Sequence, residues 1–266
     1  FPQLGYNDTA IVISSNQFSF SNVFQYVKVR VFNKSQLYSG TPATFTDFTG
    51  MLNADSSLAF TIQPARSITT SSSEYLLSAR SGGGSDLTLW RIDNAPTSPT
   101  LVRQATLTIG AYSVPPDAAQ PGTSTLVATN DSRMYDTVFN SGDLFASFGE
   151  GFNGLAAMRY DRLTPATNTV VKDVTYTQPG VFYYFPAVTQ DAAGNVYFVF
   201  SRSSSTEYAS VYHTGMTTTD TAIEPSALIK AGIGPITFGR WGDYSSVAND
   251  PANNLNVVDY AGWANS

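Results

Sequence analysis

Arg80, Arg202 and Arg240 are the side chains best equipped for ligand chemistry in this sequence, with Tyr183, Tyr184, Trp241 and Tyr244 beside the last strand-like runs. A guanidinium offers a forked pair of donors that matches a carboxylate, and an aromatic ring offers an apolar platform. Gathered around one opening, these residues would bind a carboxylate or a sugar acid. Two acids, Asp136 and Asp243, fall on expected strands facing the same opening. A carboxylate pair is the machinery of glycoside hydrolysis, given the right separation. The competing reading is that the arginines pair with Asp131, Asp136 and Asp243 and merely satisfy a polar channel.

These residues need a scaffold, and the scaffold is a repeated hairpin. Phe185–Arg202, FPAVTQDAAGNVYFVFSR, reads as two strands around a turn at Asp191-Ala-Ala-Gly194-Asn195. Asp bonds the backbone ahead of it, and Gly and Asn tolerate positive φ. The second run, Val196–Phe200, is apolar on both faces and so must be covered on both. Further copies start at Phe1, Gln63, Arg133 and Trp241, about 50 to 70 residues apart, a spacing suited to propeller blades. Val29-Arg30-Val31, Trp90-Arg91-Ile92, Met158-Arg159-Tyr160 and Tyr212-His213-Thr214 recur at a shared offset and read as third strands. A final β-rich piece follows each. Four strands per repeat predict an all-β fold, a β-propeller of four-stranded antiparallel blades, with four full blades and part of a fifth.

The expected blades cover about 1–58, 59–110, 125–180, 181–238 and 239–266, in one domain. An insertion at 111–132 carries Pro115-Pro116 and Pro121-Gly122. Residues before each inner strand and after each second strand collect at one end of the channel. That places Asn16, Gln17, Arg80, Tyr183, Tyr184, Arg202, Arg240, Trp241 and Trp263 at its mouth, with Asp243 and Tyr244 slightly inside. His213, the only histidine, occupies a slot that holds Arg in three other repeats and reads as a surface strand residue.

Composition narrows the function classes. A net charge of −6 argues against nucleic acid or an anionic membrane surface as partner. No apolar run approaches the roughly 18 residues of a membrane span. Without cysteine there are no disulfides or thiolate metal sites. Low charge with abundant Ser and Thr favours an extracellular protein. Asp191…Asn195 and Asn249-Asp250…Asn253-Asn254 offer oxygens suited to Ca²⁺, but turn formation explains both, and no cofactor is expected. The sequons at Asn7, Asn33 and Asn130 are expected by chance in a chain so rich in Ser and Thr.

Gly239-Arg-Trp-Gly-Asp-Tyr-Ser245 resembles the RWGDYS segment of secreted bacterial β-propeller proteins of the sialidase-like (BNR-related) superfamily. Phe1-Pro-Gln-Leu-Gly5, Phe185-Pro-Ala-Val188 with Asp191 and Gly194-Asn-Val-Tyr197, and Pro116-Asp-Ala-Ala-Gln-Pro-Gly122 resemble other segments of that group. The resemblance covers most of the chain. It implies a propeller, mostly without assigned activity, and further propeller sequence on both sides of this stretch. A sialidase would need an arginine triad, a Tyr activated by Glu, and an Asp acid. Arg80, Arg202 and Arg240 imitate the triad by position, but no Tyr–Glu pairing announces itself, and Glu74 and Glu207 sit in expected turns. The Asp-box pattern S-x-D-x-G-x-T-W is absent.

The sequence thus favours a non-catalytic, secreted binding or assembly module with a glycan or protein ligand. The alternative is a sialidase-like glycoside hydrolase or lyase acting at the channel mouth. A third reading is a structural segment whose open edges associate with the rest of a longer chain or another subunit.

Overall fold

A computed structural model describes residues 2–238, 240–262 and Ala264. The chain is nearly all β, with one short helix among the described residues. Unit 1 contains β1 (Pro2–Tyr6), β2 (Ala10–Phe18), β3 (Phe24–Asn33), helix α1 (Lys34–Ser39) and β4 (Phe45–Phe48). Unit 2 contains β5 (Gln63–Pro64), β6 (Arg66–Ser67), β7 (Glu74–Ala79), β8 (Gly84–Asp93) and β9 (Thr100–Tyr112). Unit 3 has β10 (Met134–Asn140), β11 (Asp143–Phe152), β12 (Leu155–Thr164) and β13 (Thr169–Tyr176). Unit 4 has β14 (Val181–Gln190), β15 (Val196–Ser204), β16 (Glu207–Met216) and β17 (Ala227–Lys230). A hairpin follows, β18 (Ser246–Asp250) and β19 (Asn253–Tyr260).

Within each unit the strands, β6 excepted, pair antiparallel in chain order, inner strand to outer. Sequence explains this gradient. All of β10 and residues 144–150 of β11 are buried, with Val138, Phe139, Leu144, Phe145 and Phe148 filling both faces. The outer strand β13 alternates between exposed and half-buried positions, and β17 is exposed throughout. Burial on both faces at the inside and water at the outside is the demand of sheets stacked face to face.

The stacking itself is apolar. Val12, Val29, Leu76, Trp90 and Ile92 fill the space between units 1 and 2. Leu77, Leu89, Tyr112, Phe139 and Phe148 fill that between units 2 and 3. Tyr160 meets Phe198 edge-to-face at 5.0 Å between units 3 and 4. A smaller cluster of Ala187, Val199, Val211 and Val247 seats the hairpin on unit 4.

β6 pairs in parallel with β1 through Tyr6 and Arg66, and with β10 through Val138–Arg66 and Phe139–Ser67. This short strand stitches units 1 and 3 into a nine-stranded sheet. The described sheets do not close into a ring, and β18–β19 stays a separate two-stranded sheet. The expectation of propeller blades is therefore met at the level of four-stranded antiparallel units, without fixing a blade number.

The insertion forms an ordered cover. Ala118 and Val127 pair in an isolated bridge, and both are buried. The Gln120 amide donates to Ile236 O at 2.8 Å and accepts from Ile236 N at 2.7 Å. Ser203 donates to Ala119 O at 2.8 Å. The cover thus clamps unit 4 to the segment that leads into the hairpin.

Candidate functional site

The inner strands of unit 2, unit 3 and the hairpin are preceded, and β14 of unit 4 is interrupted at a bulge, by a residue in the left-handed region. These residues are Thr61 (φ 48°), Asn130 (φ 63°), Phe185 (φ 55°) and Asp243 (φ 89°). For a residue with a Cβ this conformation costs roughly 1–2 kcal/mol, and for a bulky ring it is rare. Four such corners bring side chains from distant parts of the chain to one mouth. Strained backbone gathered in one place is a pointer to function.

Asp243 Oδ1 accepts from Asn130 Nδ2 at 3.0 Å, and its Oδ2 takes Arg240 Nη2 at 2.7 Å. Beside them, Arg133 holds Asp131 through two bonds of 2.6 and 2.7 Å, with its guanidinium 5.1 Å from the Phe60 ring. Burial works against the Arg133 charge, but Asp131, Tyr135 and Asp243 hold its pKa above the ordinary value. Burial, reinforced by Asp243, raises the Tyr244 phenol, with Arg133 and Arg240 opposing. Asn130, Asp131, Arg133, Arg240, Asp243 and Tyr244 thus form one electrostatic cluster.

Gly242 makes this approach feasible. It sits at φ 78°, and a Cβ there would lie 2.8 Å from Phe185 Cε2. The Phe185 ring is buried and packs edge-on to Tyr135 at 5.8 Å. Trp241, half-buried, lies 6.4 Å from Tyr184. The RWGDYS stretch is therefore folded around the aromatic corner of unit 4.

Among the inner strands, Arg66 Nη2 donates to Asp136 Oδ2 at 2.7 Å and to Val188 O at 3.0 Å, while Nη1 donates to Val247 O at 2.9 Å. Asp136 also accepts from Val188 N at 3.0 Å and Thr137 N at 2.9 Å. One ion pair so ties together β6, β10, β14 and β18. Asp136, a candidate acid on the sequence, is engaged as a structural tie.

The other sequence candidates are scattered. Arg80 bonds Asp55 at 2.8 Å and Asp86 at 3.2 Å, across units 1 and 2. Arg202 pairs with Glu207 at 2.8 Å, donates to Ser226, and lies over the Tyr212 ring at 3.8 Å. Those partners belong to the outer strands of unit 4. The three arginines share no acid, because each is claimed by a carboxylate of its own unit. Tyr183 and Tyr184 are 1% exposed and serve the core, which leaves them no open face for a ligand. Trp263 and Gly239 lie outside the described residues. Asn16 bonds Thr61 Oγ1 at 2.8 Å, which fixes the unit 2 corner. Gln17 donates to Ser15 in its own strand at 2.8 Å. Of the expected set, Arg240, Trp241, Asp243 and Tyr244 come together, joined by Asn130 and by Arg133 with its Asp131. Arg133 carried no signal, since it opens a repeat and reads as an ordinary strand residue.

The oxygens proposed for Ca²⁺ serve turns. Asp191 accepts from Ala193 N, Asn195 N, Asn195 Nδ2 and Tyr197 Oη. Asp250 accepts from Ala252 N, and Asn253 from Leu255 N. His213 faces Asp259 of the hairpin, Nδ1 to Oδ2 at 3.8 Å.

No family model matches the sequence, and no curated protein matches it. Among solved structures, the chain is similar to an α-L-arabinofuranosidase from Clostridium thermocellum. Identity is 12% and the TM-score 0.50, over 94% of this chain and 78% of that one. An ulvan lyase of a new polysaccharide lyase family matches at 11% identity and a TM-score of 0.47, over 92% of this chain and 59% of that one. The chain thus spans less than two-thirds of the lyase. The likeness to the arabinofuranosidase is one of propeller fold, and it does not single out the sialidase-like superfamily. No helix among the described residues is long and apolar enough to cross a membrane.

Proposed function

We propose that this chain is a carbohydrate-active β-propeller that engages a polysaccharide at the channel mouth and cleaves it there. The observation that carries this reading is the convergence of Asn130, Asp131 and Arg133 with Arg240, Asp243 and Tyr244. Two guanidinium groups suit hydroxyls and acid groups of a sugar, and Trp241 supplies an apolar face. Asp243, freed from Arg240 on sugar binding, is the acid or base, and Asp131 is the second carboxylate. The propeller likeness to an arabinofuranosidase raises the prior for this chemistry by analogy. In this reading the units are blades at about 1–58, 59–110, 125–180, 181–238 and 239–266. The protein acts outside the cell.

A second reading is binding without cleavage. It is favoured by one observation: Asp131 and Asp243 are each already held by an arginine at 2.6–2.7 Å. Incubation with arabinan, arabinoxylan, ulvan and polygalacturonate separates the two. Cleavage releases new reducing ends, and Asp243→Asn lowers the rate by about 100-fold or more, the scale of losing an acid–base group. Retention in affinity electrophoresis without new ends supports the binding module. Neither retention nor new ends removes both.

A further inference from the structure

The turn ends of units 3 and 4, at the opposite end of the inner strands from the mouth, enclose a cavity of about 380 Å³. Its floor is apolar, built from Phe145, Tyr160, Val196 and Met216. Its walls are polar, and on one of them Arg162 and Lys172 stand directly opposite each other across β12 and β13. Like charges in register repel, so this pair needs compensation. Arg162 has it, bonding Asp143 through Nε at 2.7 Å and Nη2 at 2.6 Å. Lys172 has a looser one: its ammonium contacts the Met216 thioether at 3.8 Å, and Asp220 on the same cavity feels its charge, although among the described residues no carboxylate comes within ion-pair distance of it.

The other acids in the cavity are committed. Asp191 closes its own turn with four accepted bonds, and Asp220 accepts from Thr217 N at 2.6 Å. Asn140 and Gln190, both nine-tenths buried, bond each other at 2.7 Å and form a rigid amide wall. The space thus combines an apolar floor, a ring of fixed donors and acceptors, and one ammonium that makes no direct ion pair, its longer-range partner Asp220 being held by Thr217 N.

We propose that this cavity is a second saccharide site that takes a uronate residue, its carboxylate on Lys172 and its apolar ring face on the floor. A hexuronate presents one apolar face for the floor, a belt of hydroxyls for the polar walls and a single carboxylate for Lys172, which with Arg162 stands among the acids Asp143, Asp191 and Asp220. That the ligand is a sugar rests on the carbohydrate reading above. The carboxylate preference rests on Lys172 alone.

The test is saturation-transfer NMR with D-glucuronate, D-galacturonate and D-galactose. The proteins are wild type, Lys172→Met, Ala193→Trp, which fills the cavity from its exposed turn, and Asp243→Asn at the mouth. Thermal unfolding checks that each variant is folded. The expected result is a uronate signal in wild type and in Asp243→Asn, at least 10-fold weaker in Lys172→Met and Ala193→Trp. Galactose gives little signal in any of them. A uronate signal that survives both cavity variants overturns the proposal, as does no signal in wild type. A signal lost only in Asp243→Asn moves the uronate to the mouth, which overturns this site while sparing the reading of the mouth.

Discussion

Asn130 and Asp243, 113 residues apart, meet at 3.0 Å with both backbones in the left-handed region. The contact joins the end of the insertion to the RWGDYS stretch, and it orients the Asp243 carboxylate towards the mouth. Asn130→Gly keeps the backbone conformation and removes the amide, so stability should change by less than about 1 kcal/mol. Saccharide turnover should fall at least 10-fold, because Asp243 loses its fixed orientation. Denaturant unfolding and reducing-end release check the two halves separately. Equal losses in both would make Asn130 a structural residue only.

Gly242 is the second lever on the mouth. Alanine there meets the Phe185 ring and sits at φ 78°, a cost of roughly 1–2 kcal/mol before the steric shift. Gly242→Ala should lower the unfolding midpoint and turn Trp241 out of its place beside Tyr184. A red shift in tryptophan emission reads that displacement.

Arg66 tests the tie between inner strands. Arg66→Ala leaves Asp136 mostly buried and uncompensated, and should cost about 3–5 kcal/mol. It also frees Val188 O and Val247 O, so the hairpin should lose hydrogen-exchange protection first. Uniform loss of protection would show that the tie is no more important to the hairpin than to the rest.

Glu74 and Asp161 set a pH dependence. Glu74 is fully buried with neither oxygen hydrogen-bonded, and burial pushes its pKa well above the ordinary value. Asp161 is raised by burial and by Asp173, its register partner, against the pull of Arg159. An acid whose folded pKa is raised contributes stability that is full below the unfolded pKa of about 4 and is lost as pH rises through the folded value. The unfolding midpoint should therefore decline above pH 4 through these two groups. Glu74→Met removes two unpartnered oxygens and should stabilise the protein at pH 7 by about 1–3 kcal/mol. Its advantage should shrink towards pH 4. An advantage independent of pH would show that Glu74 is not the group that titrates.

The scaffold was more legible than the site. The Asp191–Asn195 turn and the apolar run of β15 state a buried hairpin in local residue choice, and β14–β15 forms as that reading requires. Alternation and turn chemistry are local, so they survive in the sequence. Which arginine meets which acid is decided by packing between units. Arg80 and Arg202 look equivalent to Arg240 by repeat position, yet Asp86 and Glu207, close by in the same units, claim them first. Tyr183 and Tyr184 look like a ligand platform until the sheet covering them is in place. Asn130 was invisible as a site residue because its partner Asp243 arrives from the far end of the chain, and Arg133 because Asp243 reaches it through its charge.

Trp241 adjoins the cluster as an optical probe, and its fluorescence during oligosaccharide titration tests the central claim most directly. An oligosaccharide bound at the mouth should give a saturable change in emission that is lost in Trp241→Phe and needs at least 10-fold more ligand in Asp243→Asn. A saturable change that persists in Trp241→Phe, or no change with any of the four polysaccharides' oligomers, would contradict a saccharide site at the channel mouth.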